Sequence, residues 1–187
     1  MHTTASLANQ LLIAMPNMRD PNFDHTVTLI CQHNDDGALG IVLNRTVELT
    51  VGDILDQMDI SRELFRQSGE PVHYGGPVQT ERGFILHEDV GSWDSTLEVH
   101  DGLGLTTSRD ILEAMARNEG PKRSLVALGY AGWGSGQLEQ EISDNSWLNG
   151  PANPKLIFST PVEQRWAAAA QLLGVDLGLL SSEAGHA

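Results

Sequence analysis

The chain has 187 residues, which fits one domain, and a chain of this size buries roughly 70% of the surface that it exposes when unfolded. Its 11 basic and 25 acidic residues give a formal net charge of −14, which opposes direct binding to nucleic acids and to anionic membranes. The single cysteine excludes an intrachain disulfide, and no apolar run is long enough for a signal peptide or a membrane span, so we expect a cytoplasmic protein.

Short runs of apolar and β-branched residues, bounded by Gly, Pro, Asn or Asp, predict the strands. They cover residues 11–15, 27–32, 40–44, 72–74, 83–87, 96–99, 103–106, 124–130 and 156–158. Two pairs of these runs flank an Asp-Gly dipeptide, at 36–37 and at 101–102. Because Asp-Gly favours the tight turns that join antiparallel strands, each pair predicts a β-hairpin.

Capping residues ahead of apolar positions at helical spacing predict the helices. The predicted helices cover about 50–59, 107–119, 136–144 and 160–173, with Thr50, Thr107 and Thr160 as caps of the first, second and last. Because the helices occur singly among hairpins and do not follow every strand, the pattern predicts an α+β domain with a mixed sheet. We expect a single domain over 1–187, with an ordered core at about 7–180 and a frayed C-terminal tail.

The glycine-rich segment 129–136 has the sequence GYAGWGSG and joins a predicted strand to a predicted helix, where phosphate-binding loops commonly lie. It completes neither familiar phosphate motif, because Gln137 stands where a dinucleotide-binding fingerprint has glycine and the lysine of a P-loop is missing. Glu139 and Glu141 would also repel a phosphate. We therefore interpret the glycines as residues that permit tight turns and close backbone approach around Trp133.

Reactive side chains are few, and each has a simpler structural interpretation. Strand alternation places Cys31 on the same face as His33, which would allow a Cys–His pair, but a cysteine on the apolar face of a strand is usually an inert core residue. Asp20, Asp24 and His25 form a polar group in a loop, where carboxylates commonly form turns. The chain has no Gly-x-Ser-x-Gly nucleophile elbow, so no catalytic residue is assigned.

No metal or cofactor site is expected. His73 and the strand end His87-Glu88-Asp89 carry ligand atoms, but neighbouring residues at a strand end point to opposite sides and cannot easily converge on one ion. Neither a His-Glu-x-x-His helix nor a Cys/His pairing is present. The segment Gly75-Gly76-Pro77, between two predicted strands, is expected to shape a turn.

Taken together, five segments resemble the bacterial YqgE/AlgH family, over about 7–176 and in the family order. They are LLIAMPNMRDPNFDHTVTLICQH, GALGIVLNRT, GGPVQTERGFILH, GYAGWGSGQLEQEISDNSWL and IFSTPVEQRWAAAAQLLGVD. The resemblance implies a large mixed, mostly antiparallel sheet that folds on itself as a partly open barrel, with helices packed outside. It also implies a link to the regulation of alginate production, from which the family takes a name. No reaction is established for the family, so no catalytic residue is carried over.

Because no nucleophile, metal or phosphate pattern is complete, we expect a non-enzymatic binding or regulatory domain that contacts an unidentified protein or small molecule. The predicted ligand or partner surface comprises Gly75, Gly76, Pro77, Arg82, Trp133, Gln137, Glu139 and Trp147. One alternative is an enzyme of unrecognised type, a hydrolase or a thiol enzyme. Its possible participants are Asp20, His25, Cys31 and Glu139. A DNA-binding transcriptional regulator is a further alternative, which the acidic charge opposes.

Overall fold

The computed structural model describes residues 5–100 and 102–179. The strands are β1 (Gln10–Ala14), β2 (Val27–Asn34), β3 (Gly37–Val42), β4 (Thr46–Thr50), β5 (Pro71–Tyr74), β6 (Val78–Glu88), β7 (Thr96–His100), β8 (Leu103–Thr106), β9 (Ser124–Trp133) and β10 (Trp147–Pro151). The helices are α1 (Val51–Gln57), α2 (Arg109–Ala116), α3 (Gln137–Ser143), α4 (Pro154–Phe158) and α5 (Arg165–Leu172), with a short 3-10 helix at Val162–Gln164 before α5.

The strands form one large sheet in the order β10-β1-β2-β3-β9-β6-β8-β7, and β5 joins β4 to β9. Every pairing is antiparallel except that of β5 with β9. The sheet curls into a half-barrel, so that Val99 near one end of the strand order lies in the same buried cluster as Leu29 and Leu11. The α+β class and the partly open, mostly antiparallel barrel are confirmed.

Strand β9 is the centre of this sheet, because it pairs with three other strands. Its last residues pair with β3, its earlier residues pair with β6, and Ala127 and Leu128 pair with β5. The change of partner occurs near Gly129, which has φ +78°. There Gly75 enters the gap between β3 and β9: its carbonyl accepts the Val42 N–H at 2.8 Å, and its own N–H donates to Leu128 at 2.8 Å.

Glycine is required where the Gly75-Gly76 segment meets the Gly129-Tyr130 backbone of β9, because the two backbones touch there. We call this contact the glycine crossing. A Cβ on Gly129 would lie 2.4 Å from the carbonyl oxygen of Gly76, and a Cβ on Gly76 would lie 2.1 Å from the carbonyl carbon of Tyr130. No real Cβ tolerates such distances, and neither neighbour can rotate away, since both are backbone atoms. The turn expected at Gly75-Gly76-Pro77 is therefore also a point of close backbone packing in the sheet.

Three apolar clusters stabilise the fold. The largest fills the half-barrel and includes residues of α4 and α5, such as Ile157 and Ala170. The second packs α1 and α2 against β5, β6 and β9, and the third lies beneath α3 around Leu138. Each fully buried Leu or Ile contributes about 1.5–3 kcal/mol relative to an exposed one, so these clusters supply the main favourable free energy.

Both predicted hairpins are confirmed, by the pairing of β2 with β3 and of β7 with β8. In the second, Asp101 lies outside the described residues. The first predicted helix is also confirmed, because the Thr50 hydroxyl accepts the Asp53 N–H and the Asp53 carboxylate accepts the Thr50 N–H. The tail expected to fray after about residue 181 lies outside the described residues. No described helix is both long enough and apolar enough to cross a membrane.

Other predictions were wrong in their details. Residues 156–158 belong to α4, because the Asn153 side chain accepts the Leu156 N–H and Pro154 occupies the first turn. The second predicted helix is capped at Ser108 instead of Thr107. After Thr160 the chain first forms the 3-10 helix, so α5 begins only at Arg165. Strands β4 and β10 were not predicted.

The glycine crossing generates a stability prediction with a matched control. Gly129 and Gly136 have similar φ values, +78° and +71°, but a Cβ on Gly136 would meet nothing within 4 Å. We expect Gly136→Ala to lower the free energy of unfolding by about 1–2 kcal/mol, the cost of a left-handed alanine. Gly129→Ala should lower it by about 3–5 kcal/mol, because steric overlap is added. Urea denaturation measures both, and equal losses would contradict this account.

Candidate functional site

The glycine-rich segment is mostly strand, because β9 continues to Trp133 and only residues 134–136 form the turn. Two of the N–H groups available to an anion are already bonded: that of Gly134 to the Gln137 side chain at 2.9 Å, and that of Gln137 to the Gly134 carbonyl at 3.0 Å. The Ser135 hydroxyl donates to Asp35 in the β2–β3 turn at 2.6 Å. The corner therefore fixes α3 to the sheet, and its hydrogen bonds are internal.

Three of the predicted surface residues meet at a carboxylate that the sequence prediction left out. The indole Nε1 groups of Trp133 and Trp147 both donate to Glu141 Oε1, at 3.1 and 3.0 Å. Gln137 Nε2 donates to Glu141 Oε2 at 2.8 Å. The Phe23 ring packs against both indoles. Because both tryptophans are buried, this cluster stabilises the fold, whereas Glu141 is half-buried and Gln137 is exposed. The four-residue spacing of Gln137 and Glu141 was the available sequence signal.

Glu139, also on the predicted surface, pairs with His33. The His33 Nε2 group lies 2.8 Å from Glu139 Oε1, and its Nδ1 atom accepts the Leu7 N–H at 2.8 Å. Because Nδ1 is an acceptor, the ring proton resides on Nε2 and is donated to Glu139. The pair fastens the N-terminal residues to α3.

The expectation that Cys31 and His33 share a face was wrong. A β-bulge separates them: Ile30 pairs with Gly40 and Gln32 pairs with Leu39, so Cys31 is the extra residue. A bulge reverses the alternation of side chains beyond it. Cys31 therefore packs in the half-barrel, whereas His33 bonds α3. Burial raises the pKa of the Cys31 thiol to about 12, which removes its thiolate at neutral pH.

The remaining predicted residues lie apart from these. Gly75 and Gly76 are buried at the crossing with β9, and Pro77 follows them. The Arg82 guanidinium contacts Gln79 and Thr107 at 3.4 Å and lies 5.6 Å from the centre of the Phe84 ring. The eight predicted residues therefore do not form one continuous site: they are divided among the crossing, the α3 corner and a groove beside Phe84.

The polar groups named as alternatives are used structurally. Asp20 accepts the Asn22 N–H at 2.9 Å in a turn, and the His25 ring contacts Asp24 and packs 4.3 Å from the Trp166 ring centre. His87 is buried, and its Nε2 lies within hydrogen-bond distance of the Thr106 hydroxyl, at 2.7 Å. Among residues 5–100 and 102–179, no group of three or more His, Cys, Asp or Glu side chains could hold a metal ion.

A cavity that sequence analysis missed lies between β5, the start of β9 and the segment of α4 and α5. Its volume is about 240 Å³, and we name it the Arg165 cavity. Its basic and imidazole groups are His73, Lys122, Arg123 and Arg165, and the only carboxylate among its described lining residues is Glu70. In a chain with a net charge of −14, this concentration of positive charge is unusual.

Arg165 is the deepest of these charges, since the residue is only 5% exposed. Its Nε donates to the Thr160 carbonyl at 2.9 Å, and its Nη1 donates to the Leu43 carbonyl at 2.5 Å and to His73 Nε2 at 3.0 Å. All three partners are neutral. Among the described residues no carboxylate lies within 4.0 Å of the guanidinium, and Nη2 donates to no protein atom.

His73 places no second positive charge beside Arg165. Burial, reinforced by the positive charge of Arg165, lowers the pKa of His73 to about 4, so the imidazole is neutral at physiological pH. The backbone of Val126 raises the pKa of His73, although its contact with the imidazole does not have the geometry of a hydrogen bond. Because Nε2 accepts from Arg165, the ring proton lies on Nδ1, which has no hydrogen-bond partner in the described residues.

Burial lowers the pKa of Arg165, and the nearby charge of Glu163 partly opposes this. An arginine nevertheless keeps its proton in proteins. The Arg165 cavity therefore contains a buried, charged guanidinium that is held in place by neutral groups and has one donor nitrogen free. That arrangement can bind an anion.

The AlgH-like family pattern matches residues 11–178. The chain belongs to the AlgH-like family. It is similar to the UPF0301 protein of Methylococcus capsulatus, at 61% identity over 180 residues and 96% of each chain. It is also similar to the UPF0301 protein of Thioalkalivibrio sulfidiphilus, at 57% identity over 187 residues and all of both chains. These AlgH-like relatives are uncharacterised in function, so they carry no reaction or ligand to this chain.

Two solved structures share the AlgH-like fold. The solution structure of the AlgH protein from Pseudomonas aeruginosa is 46% identical, with a TM-score of 0.79, and all of both chains is covered. A crystal structure of a protein from Corynebacterium diphtheriae is 20% identical, with a TM-score of 0.76, and the match covers 97% of this chain and 94% of that one. The second likeness concerns the fold alone.

The neutral, buried state of His73 predicts how the stability of this AlgH-like chain depends on pH. The pKa is about 4 when folded and 6.5 when unfolded, so between these values the unfolded chain binds more protons. Stability is therefore fully present above about pH 6.5 and is lost as the pH falls towards 4, by about 3 kcal/mol from this residue. His73→Gln should remove that part of the loss in urea titrations. A variant that lost as much stability as the wild type between about pH 7 and pH 4.5 would contradict the prediction.

Burial of Cys31 predicts an inert thiol. Because the chain has one cysteine, modification by an uncharged alkylating reagent such as iodoacetamide reports on this site alone. We expect the folded protein to react at least about a hundredfold more slowly than the same chain in urea, since the thiol must first be exposed and ionised. Mass spectrometry follows the reaction. Reaction of the folded chain at the rate of the unfolded one would restore Cys31 as a candidate nucleophile.

Proposed function

We propose that this protein is a non-enzymatic, cytosolic binding domain that holds a small anion in the Arg165 cavity. The anionic group is a carboxylate or a phosphate, which present the same oxygen acceptors to a guanidinium. A regulatory role, including the alginate link implied by the family name, would follow from ligand binding and an unidentified partner. The exposed residues Gln137 and Arg82 and the partly buried Glu139 stay predicted contacts for such a partner.

The observation that supports this proposal is the buried guanidinium of Arg165 without a carboxylate partner. Removing a charge from water without pairing it costs several kcal/mol, and the neutral acceptors Leu43 and Thr160 offset only part of that cost. An anion at the unused Nη2 would supply the missing charge. Lys122, which lines the same cavity, would add a favourable field, whereas the charge of Arg123 is paired with Glu88.

Binding is favoured over catalysis by the chemistry of the cavity walls. The imidazole of His73, which lines the cavity, has its Nε2 lone pair occupied by Arg165 and is therefore not free to act as a base. Cys31 belongs to a different part of the core and is held as a thiol. The cavity has positive charge for attraction and apolar walls for packing, which are the properties of a ligand site.

Anion-dependent stabilisation tests the proposal. We expect sodium phosphate or sodium acetate to raise the Tm of the wild-type protein relative to sodium chloride at equal ionic strength. At ten times the Kd the gain is about 1.4 kcal/mol, or about 3–6 °C for a domain of this size. Arg165→Met should abolish the shift, and Arg165→Lys should keep part of it, because the charge remains but the planar fork is lost.

Arg45→Met is the matched control. Arg45 also donates to two backbone carbonyls, those of Pro21 and Asp24 at 2.5 and 2.7 Å, but it lies outside the Arg165 cavity. Both substitutions should lower the starting Tm, so each variant is compared with its own chloride baseline. The proposal is wrong if the wild type gains nothing from either anion, or if Arg165→Met keeps the full gain.

A further inference from the structure

The Arg165 cavity does not end at its inner charges. A second cavity of about 250 Å³ adjoins it and shares the lining residues Phe65, Gln67, Met115, Lys122 and Ser124. This second cavity extends past the end of α2 to Arg66. The two cavities therefore adjoin along these five residues, with Arg165 lining the inner one and Arg66 lining the outer one, and we refer to the pair as the groove.

The outer end repeats the charge imbalance of the inner end. Arg66 and Lys122 have no carboxylate within 4.0 Å among the described residues, whereas Arg123 between the two cavities is paired with Glu88. The Phe65 and Met115 side chains lie in the wall common to both cavities. The groove thus has a cationic pole at each end and an apolar wall in its middle.

The outer end is built rigidly. Asn118 adopts a left-handed conformation with φ +59°, which positions its side chain against the loop that precedes β5. Its Oδ1 accepts the Arg66 N–H at 3.2 Å, and its Nδ2 donates to the Leu64 carbonyl at 2.6 Å. The backbone that carries Arg66 is therefore fixed relative to the end of α2, so the exposed Arg66 side chain extends from a defined position.

We infer that the ligand is an elongated dianion: a small molecule with an anionic group at each end and an apolar middle. This inference rests on the proposed function, since it assigns one anionic group to Arg165. The second group is held by Arg66, Lys122 lines both cavities between the two ends, and the middle packs on Phe65 and Met115. A polyanion such as a nucleic acid is opposed by the net charge of −14 and by the small volume of the groove.

A series of straight-chain α,ω-dicarboxylates of increasing length, each compared with the monocarboxylate of equal length, tests the inference by calorimetric titration of the full chain. We expect one range of lengths at which the dicarboxylate binds about tenfold more tightly than the monocarboxylate, because a second charge-assisted contact is gained. Arg66→Met should lose this advantage and keep the monocarboxylate affinity within about threefold, since Lys122 and the Arg165 end are unchanged.

The control is Arg19→Met, which changes the net charge equally but touches neither cavity. It should keep the dicarboxylate advantage. If monocarboxylates bind through Arg165 but no dicarboxylate binds more tightly, or if the advantage survives in Arg66→Met, the elongated dianion is wrong and the proposed function stands. If neither class binds the wild type, the proposed function is wrong and the inference with it.

Discussion

Gly75 and Gly76 lie against the backbone of Gly129 and Tyr130 at the point where β9 exchanges one partner strand for another. The contact allows β3, β5 and β9 to meet within hydrogen-bonding distance, although β3 runs antiparallel to β9 and β5 runs parallel to it. Gly75 completes the ladder on both sides, accepting from Val42 and donating to Leu128. Without this approach, β5 could not pair in parallel with the centre of a sheet that is otherwise antiparallel.

The crossing also determines where the charged cavity lies. His73 is two residues before Gly75, so the register of β5 on β9 fixes the imidazole beneath the segment of α4 and α5. Arg165 then binds between His73 and the Leu43 carbonyl at the end of the neighbouring strand. Backbone packing in the sheet therefore determines where the Arg165 guanidinium lies. Neutral groups hold this charge in a molecule whose net charge is −14.

Sequence alone predicted the parts of the fold that local interactions determine. The Asp36-Gly37 turn and the Thr50–Asp53 capping box lie within a few residues of the elements they organise, so their patterns are readable. Residues 156–158 are too short an apolar run to show a helical or strand period, and only the Asn153 cap identifies them as helical. The bulge at Cys31 cannot be recognised from the alternation of apolar and polar residues in the sequence. It nevertheless moves the His33 side chain to the opposite face of the sheet.

The site was less predictable than the fold because its residues are distant in the chain. His73 and Arg165 are 92 positions apart, and neither belongs to a motif. The tryptophans at 133 and 147 were predicted to belong to a ligand or partner surface. Both instead donate to the shared carboxylate of Glu141 and are part of the core. The adjacent pair Lys122-Arg123 was the one local sign of positive charge near the cavity.

Two neighbouring side chains attach α5 to the sheet without any strand pairing: Arg165 donates to Leu43, and the Trp166 indole donates to Ala14 at 2.9 Å. This attachment has a consequence for the growing polypeptide on the ribosome. The strands from β1 to β9 precede α4 and α5 in the chain, so they emerge earlier and can begin to assemble before this wall is made. A nascent chain would therefore hold much of its sheet before it holds the cavity that we propose as the anion site.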